Sequence, residues 1–216
     1  MTSGTERLID GLVDDLKPVT QAIHLRQAYA VVLAVWAAVL GLVLWSQQSP
    51  MGAAPLFADG VYLTSFVGLM LGALGATLSA LAAGRPGRDQ LENASLGVSA
   101  GGLLVASGVC LAGLLGQGAV PSPPGLDAMC LQKGAWLSLL PAGVILSFLV
   151  RGWTTRPLRA ALVGMLAAGA LGAAIVHLSC DFLGAGHLLR GHMFVPLALA
   201  LLGTYPAGVV LRRLRK

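Results

Sequence analysis

The sequence predicts an all-α, polytopic membrane protein: six transmembrane helices in a compact bundle, both termini cytoplasmic, preceded by a short cytoplasmic amphipathic helix. Three observations predict it. Hydrophobic residues fill 56% of the 216 positions and charged residues only 11%, against about 45–50% and about 25% in soluble domains, and the mean hydropathy is +0.80. Six largely apolar runs lie at Tyr29–Ser46, Val61–Ala82, Ser95–Gln117, Ala135–Val150, Leu158–Leu178 and Met193–Leu211, most of them near the roughly 17–25 residues that a spanning helix needs. Outside these runs, or at their edges, twelve Lys and Arg fall on one side and only Lys133 and Arg190 on the other. Cytoplasmic segments carry such an excess, so the net charge of +5 is a topological signal and calls for no nucleic-acid partner.

The chain divides into a tail, residues 1–26, and a six-helix transmembrane domain, residues 27–216. In the tail, "SGTERLIDGLVDDLKPV" places Leu8, Ile9, Leu12, Val13 and Leu16 within an arc of about 140° at helical spacing, with Glu6, Arg7, Asp10, Asp14 and Lys17 facing away. Ser3 and Glu6 form a capping box at its start, and Pro18 ends it. Residues 6–17 carry a net charge of −2. Helices that rest on anionic membrane surfaces favour Lys and Arg instead. An acidic amphipathic helix suits a partner with an apolar groove and a basic rim.

The first span starts too far in, and follows too many acids, to read as a signal peptide. The fourth run is the shortest and extends naturally back to Leu131. Small residues recur four apart, at Gly68 and Gly72, Gly97 and Gly101, Gly108 with Ala112 and Gly116, and Gly164 with Ala168 and Gly172. Such spacing lets helix backbones approach closely. Charged residues are missing from the spans apart from Arg159 at the edge of the fifth. Ion pathways and proton relays usually need ionisable groups at membrane depth. Pro141, Pro196 and Pro206 could open helices as transporters do, but prolines more often only kink them.

Two outer loops are expected, 117–134 and 179–192. The second gathers an unusual set of side chains, "VHLSCDFLGAGHLLRGHMF", with His177, Cys180, Asp181, His187, His192 and Met193; Met129 and Cys130 stand at the end of the first. Were the fifth helix to run to Asp181, His177, Cys180 and Asp181 would share a face. Imidazole with thiolate suits zinc or copper, and an added thioether favours Cu(I). Cys130, Cys180, His177, His187 and His192 are therefore candidate metal ligands. His187 also fits an ordinary interfacial histidine. Outside the cytoplasm two thiols tend to pair, so Cys130 and Cys180 could equally form a structural disulfide or a redox- and metal-responsive switch. Cys110, inside the third span, reads as a core residue.

Taken together these features resemble the NrsF family of membrane anti-sigma factors. The match lies in Leu8-Ile9-Asp10, Leu12, Asp15-Leu16 and Pro18-Val19, in Cys130 and Cys180, in "LPAGVILSFLVRG" with Arg156-Pro157, and in His192 at the start of the last span. Thr20 departs from the basic residue that commonly follows Pro-Val. The resemblance implies a bacterial inner-membrane protein that is not an enzyme. Its tail would hold an extracytoplasmic-function sigma factor, with Leu8, Ile9, Leu12 and Leu16 as anchors and Asp10, Asp14 and Asp15 meeting its basic surface. Cys130 and Cys180 would sense oxidants or heavy metals, and the bundle would carry the change inward.

The alternative is a small metal-ion transporter or channel with a Cys/His entry site, which needs further ligands deeper in the bundle. An intramembrane metalloenzyme lacks support, because no HExxH or comparable constellation occurs.

Overall fold

The computed structural model describes residues 11, 13, 23–46, 58–117, 120–152 and 154–214. It is all-helical among the described residues, and six helices are long and apolar enough to cross a membrane. They are α1 (Leu25–Ser46), α2 (Gly60–Ala83), α3 (Asp89–Gln117), α4 (Leu126–Val150), α5 (Pro157–Leu178) and α6 (Ala185–Arg213).

Helix α5 is the centre of the bundle. In its most apolar stretch 83% of residues are buried, against 11% in α1. Its sequence explains this: Ala and Gly fill "AALVGMLAAGALGAA", so α2, α4 and α6 can all lie against it without bulky side chains between the backbones. A Cβ at Gly169 would lie 2.7 Å from Cα of Pro196 on α6, and one at Gly172 would run into the Gly134 carbonyl and Ser138 of α4.

α2 and α3 make the other close crossing. A Cβ on Gly102 would sit 2.5 Å from the Gly68 carbonyl and 2.6 Å from the Gly72 nitrogen, and one on Gly75 would meet Ser95 and Ser99. This corrects the small-residue reading of α3. Gly97, Gly101, Gly108 and Gly116 face open space; the contact register runs through Ser95, Ser99, Gly102 and Ala106, with Gly68 also packed against Ala106.

α1 is peripheral, burying only Ala28 and Val32. Two side-chain hydrogen bonds fasten it: Trp36 Nε1 donates to the Leu171 carbonyl of α5 at 3.0 Å, and Tyr29 Oη to the Leu74 carbonyl of α2 at 3.4 Å. At the end of the bundle that holds the α2–α3 and α4–α5 connections, Arg159 pairs with Glu92 at 2.9 Å and donates to Asn93.

The opposite end differs from the sequence expectation. α4 begins at Leu126, well before Ala135, so Cys130 lies within the helix. Gly125, at φ 81°, turns the chain into it, and Asp127 occupies the first turn, where a carboxylate favours the helix N-terminus. α5 stops at Leu178, and the Ser179 N–H turns back to the Val176 carbonyl. Cys180 and Asp181 are therefore not on its face. The expected loop 179–192 shrinks to 179–184, because α6 starts at Ala185 and runs through a π-helical segment, Leu188–Met193. Pro141 and Pro206 lie inside continuous helices.

Of the tail, Leu8, Ile9, Asp10, Leu12, Asp14, Asp15, Leu16 and Pro18 lie outside the described residues. Gly11 and Val13 are helical, and Val13 is exposed.

Candidate functional site

Three segments meet at the end of the bundle where α5 hands over to α6. The first two turns of α4 bring Asp127 and Cys130, the short link after α5 brings Cys180, and the start of α6 brings His187 and His192. In an α-helix, positions five apart point about 140° away from each other. The π-turn, whose hydrogen bonds run from i to i+5, brings them to the same side. His187 and His192 thus face one pocket, their ring centroids 5.0 Å apart. Gly191 makes the approach possible, since a Cβ there would lie 3.1 Å from the His187 ring and 3.2 Å from Cβ of Cys130.

Within this pocket Cys130, Cys180, His187 and His192 are all buried and present one ligand atom each, all within 4.8 Å of one another. The two cysteines are free thiols with their sulfurs 3.8 Å apart. Cys180 Sγ lies 3.3 Å from His187 Nε2. The other nitrogen of His187, Nδ1, is 2.6 Å from Asp127 Oδ1, and Arg190 Nε holds Asp127 Oδ2 at 2.7 Å. The Phe182 ring stands edge-on to His187 at 5.3 Å, and Lys133 Nζ donates to Ser179 Oγ at 3.3 Å. Cys180 lies outside the spanning helices. The hydrogen bond from Cys130 lowers its thiol below the ordinary range, despite burial. A lowered thiol is the nucleophilic and metal-binding form.

His177 is placed one step behind. Its Nδ1 lies 3.1 Å from His192 Nδ1, and its Nε2 lies 3.2 Å from the Tyr62 carbonyl and 3.4 Å from Ser65 Oγ. Tyr62 stacks on its ring at 4.3 Å, and Tyr62 Oη donates to the His177 carbonyl at 2.6 Å.

The structure thus brings four of the five candidate ligands together, with His177 as a neighbour of the fourth. His187 is fully buried and doubly partnered, unlike an ordinary interfacial histidine. Met129 is 64% exposed, and Met193 packs in the hydrophobic core. Asp181 is exposed in the link and stands outside the group of four. Sequence reasoning missed Asp127, Tyr62 and Ser65. Only Asp127 left a trace, three residues before Cys130 and hence on the same helical face.

Chemically the pocket can close a disulfide or hold a thiophilic cation. A family model described as NrsF, negative regulator of sigma F, matches residues 12–212, nearly the whole chain. No curated protein and no solved structure matches it significantly.

Proposed function

The chain belongs to the NrsF family of negative regulators of a sigma factor, and we propose that it holds an extracytoplasmic-function sigma factor inactive at the bacterial inner membrane. In this reading residues 1–26 are the cytoplasmic partner-binding tail and residues 27–216 the sensor. The acidic amphipathic pattern of the tail supports the first assignment. Leu8, Ile9, Leu12, Val13 and Leu16 enter an apolar groove, Asp10, Asp14 and Asp15 meet a basic rim, and Pro18 ends the helix.

The excess of Lys and Arg supports an arrangement with both termini inside, which puts the Cys/His pocket outside. The observation that carries the sensing role is the pair Cys130 and Cys180, free thiols 3.8 Å apart from segments fifty residues distant in sequence. An oxidant that joins them, or a heavy metal that bridges them, alters the contact between α4 and the α5–α6 link. The bundle then shifts between two packings with different affinity for the sigma factor. Near-complete release requires about 5 kcal/mol of bias, a scale that disulfide or metal chemistry supplies.

The test is capture of the sigma factor by membranes carrying the chain. Leu12→Asp with Leu16→Asp abolishes capture while the protein remains in the membrane fraction. Retained capture by that variant removes the tail from the mechanism.

A further inference from the structure

The hydrogen bonds behind the pocket orient each histidine so that, for neutral rings, a particular nitrogen is turned to the sulfurs. His177 Nε2 faces the carbonyl oxygen of Tyr62, which can only accept, so that nitrogen bears the hydrogen. A neutral His177 then has a lone pair on Nδ1, which accepts from His192 Nδ1–H across 3.1 Å. This leaves His192 Nε2 deprotonated. That atom is buried and has no hydrogen-bond partner among the described residues, an arrangement native proteins rarely leave without a reason.

His187 reaches the same state by another route. Its Nδ1–H donates to the Asp127 carboxylate at 2.6 Å, which leaves Nε2 as the nitrogen that faces Cys180 Sγ, at 3.3 Å. Asp127 is itself fixed by Arg190. Two imidazoles from one π-turn, oriented by different acceptors, thus offer Nε2 to the same small space as two thiols.

We propose that Cys130, Cys180, His187 and His192 form a four-ligand site for a divalent cation of the zinc class, zinc or cadmium, with Asp127 and His177 as positioning residues. Two sulfurs at about 2.3 Å from a tetrahedral zinc lie about 3.8 Å apart, the separation already present between Cys130 and Cys180. Metal-bound histidines characteristically donate their second nitrogen to a carboxylate or another acceptor. Copper(I) is less well served, because the exposed Met129 offers no thioether to the pocket. On binding, any proton still held on the two sulfurs leaves to solvent, and the dithiolate offsets the ion's charge. His177 is therefore removed from the ligand set and becomes the link from the site to Tyr62 and Ser65 on α2. The binding rests on this geometry; its use as a signal rests on the sensing role proposed above.

The experiment uses the purified full chain in detergent, its thiols reduced with a phosphine, with no sigma factor present. Titration with Co2+ should give one ion per chain, with the absorption of a tetrahedral site and thiolate-to-cobalt charge transfer, and Zn2+ should displace it. Cys130→Ser and Cys180→Ser should each lose or strongly weaken the charge-transfer band. Asp127→Ala and His177→Leu should weaken affinity by about 10–100-fold, and His177→Gln, whose amide both donates and accepts, should restore most of it. A wild-type chain that is monodisperse and helical yet shows no tetrahedral cobalt spectrum overturns the site. Unchanged affinity in Asp127→Ala and His177→Leu overturns the positioning roles. In the separate capture assay on membranes, zinc that binds but releases no sigma factor leaves the site standing and removes it from the switch.

Discussion

The indole of Trp36 donates a hydrogen bond to the backbone carbonyl of Leu171 at 3.0 Å, tying the peripheral helix α1 to the middle of α5. The relationship joins the two ends of the proposed mechanism. α1 follows directly from the tail, and α5 carries His177 six residues, less than two turns, beyond Leu171. Only Ala28 and Val32 are buried in α1, and this bond and that of Tyr29 to the Leu74 carbonyl tie its side chains to the bundle. In membranes such a bond contributes on average about 0.6 kcal/mol. Trp36→Phe keeps most of the ring and deletes the donor. It should leave the fold and sigma capture intact but reduce the induced response of a sigma-dependent reporter in a bacterial host carrying the chain and its sigma factor. A full response would show that α1 receives the signal by another contact.

The glycines of α3 provide a paired test of the packing. Gly102→Ala places a methyl 2.5 Å from the Gly68 carbonyl and 2.6 Å from the Gly72 nitrogen, where only backbone movement can relieve it. Overpacking of this kind costs about 1–3 kcal/mol. Gly101→Ala meets nothing within 4 Å and should be neutral or slightly stabilising, since alanine is the better helix former by about 1 kcal/mol. Thermal unfolding in detergent should show a lower midpoint for the first variant and an unchanged or higher one for the second. Equal behaviour would contradict the α2–α3 register.

The sequence made the bundle legible because length and hydropathy suffice to mark a spanning helix. It misplaced the ends of α4 and α6 for one physical reason. Asp127, Lys133, His187 and Arg190 lower the apparent hydropathy of those segments, yet each finds a partner at this end of the bundle: Asp127 holds His187 and Arg190, and Lys133 donates to Ser179. The gathering of Cys130, Cys180, His187 and His192 was readable as a cluster by composition. Its inner order was not, since it depends on a π-turn that no local residue type announces, and on Tyr62 and Ser65 from a helix more than a hundred residues earlier. The register of α3 was hidden for a similar cause. Gly101 and Gly102 are equivalent in composition, and only the neighbouring helix distinguishes them.

A separate prediction concerns the Asp127–Arg190 pair. Arg190 is 47% exposed in its side chain and bonds Asp127 at 2.7 Å, so its direct worth to stability is small, about 0–1 kcal/mol as for surface pairs in general. Its role is to hold the carboxylate against His187. Arg190→Gln should leave the unfolding midpoint within a few degrees of wild type while shifting the dose of metal needed for half-maximal reporter induction upward, by less than the removal of Asp127 does. The comparison of the two dose curves checks it. A shift as large as that of Asp127→Ala would make Arg190 more than a support.

The three cysteines should separate cleanly by function. Cys110 is fully buried within α3, in the hydrophobic core and apart from the Cys130–Cys180 cluster. Cys110→Ala removes one sulfur from that core, a truncation expected to cost about 0.5–1.5 kcal/mol by analogy with Ile→Val, without touching the pocket. Cys130→Ser and Cys180→Ser each delete half of the thiol pair while preserving size and a hydroxyl that can still hydrogen-bond. If the pair is the switch, both serine variants should capture the sigma factor as well as wild type and keep the reporter off under oxidant or heavy metal, whereas Cys110→Ala should respond normally. The reporter and the capture assay must be read together, because a variant that has simply lost its partner would leave the reporter on before any stress. Normal induction in either serine variant would exclude the paired-thiol switch, since neither a disulfide nor a two-sulfur metal site can form from one thiol.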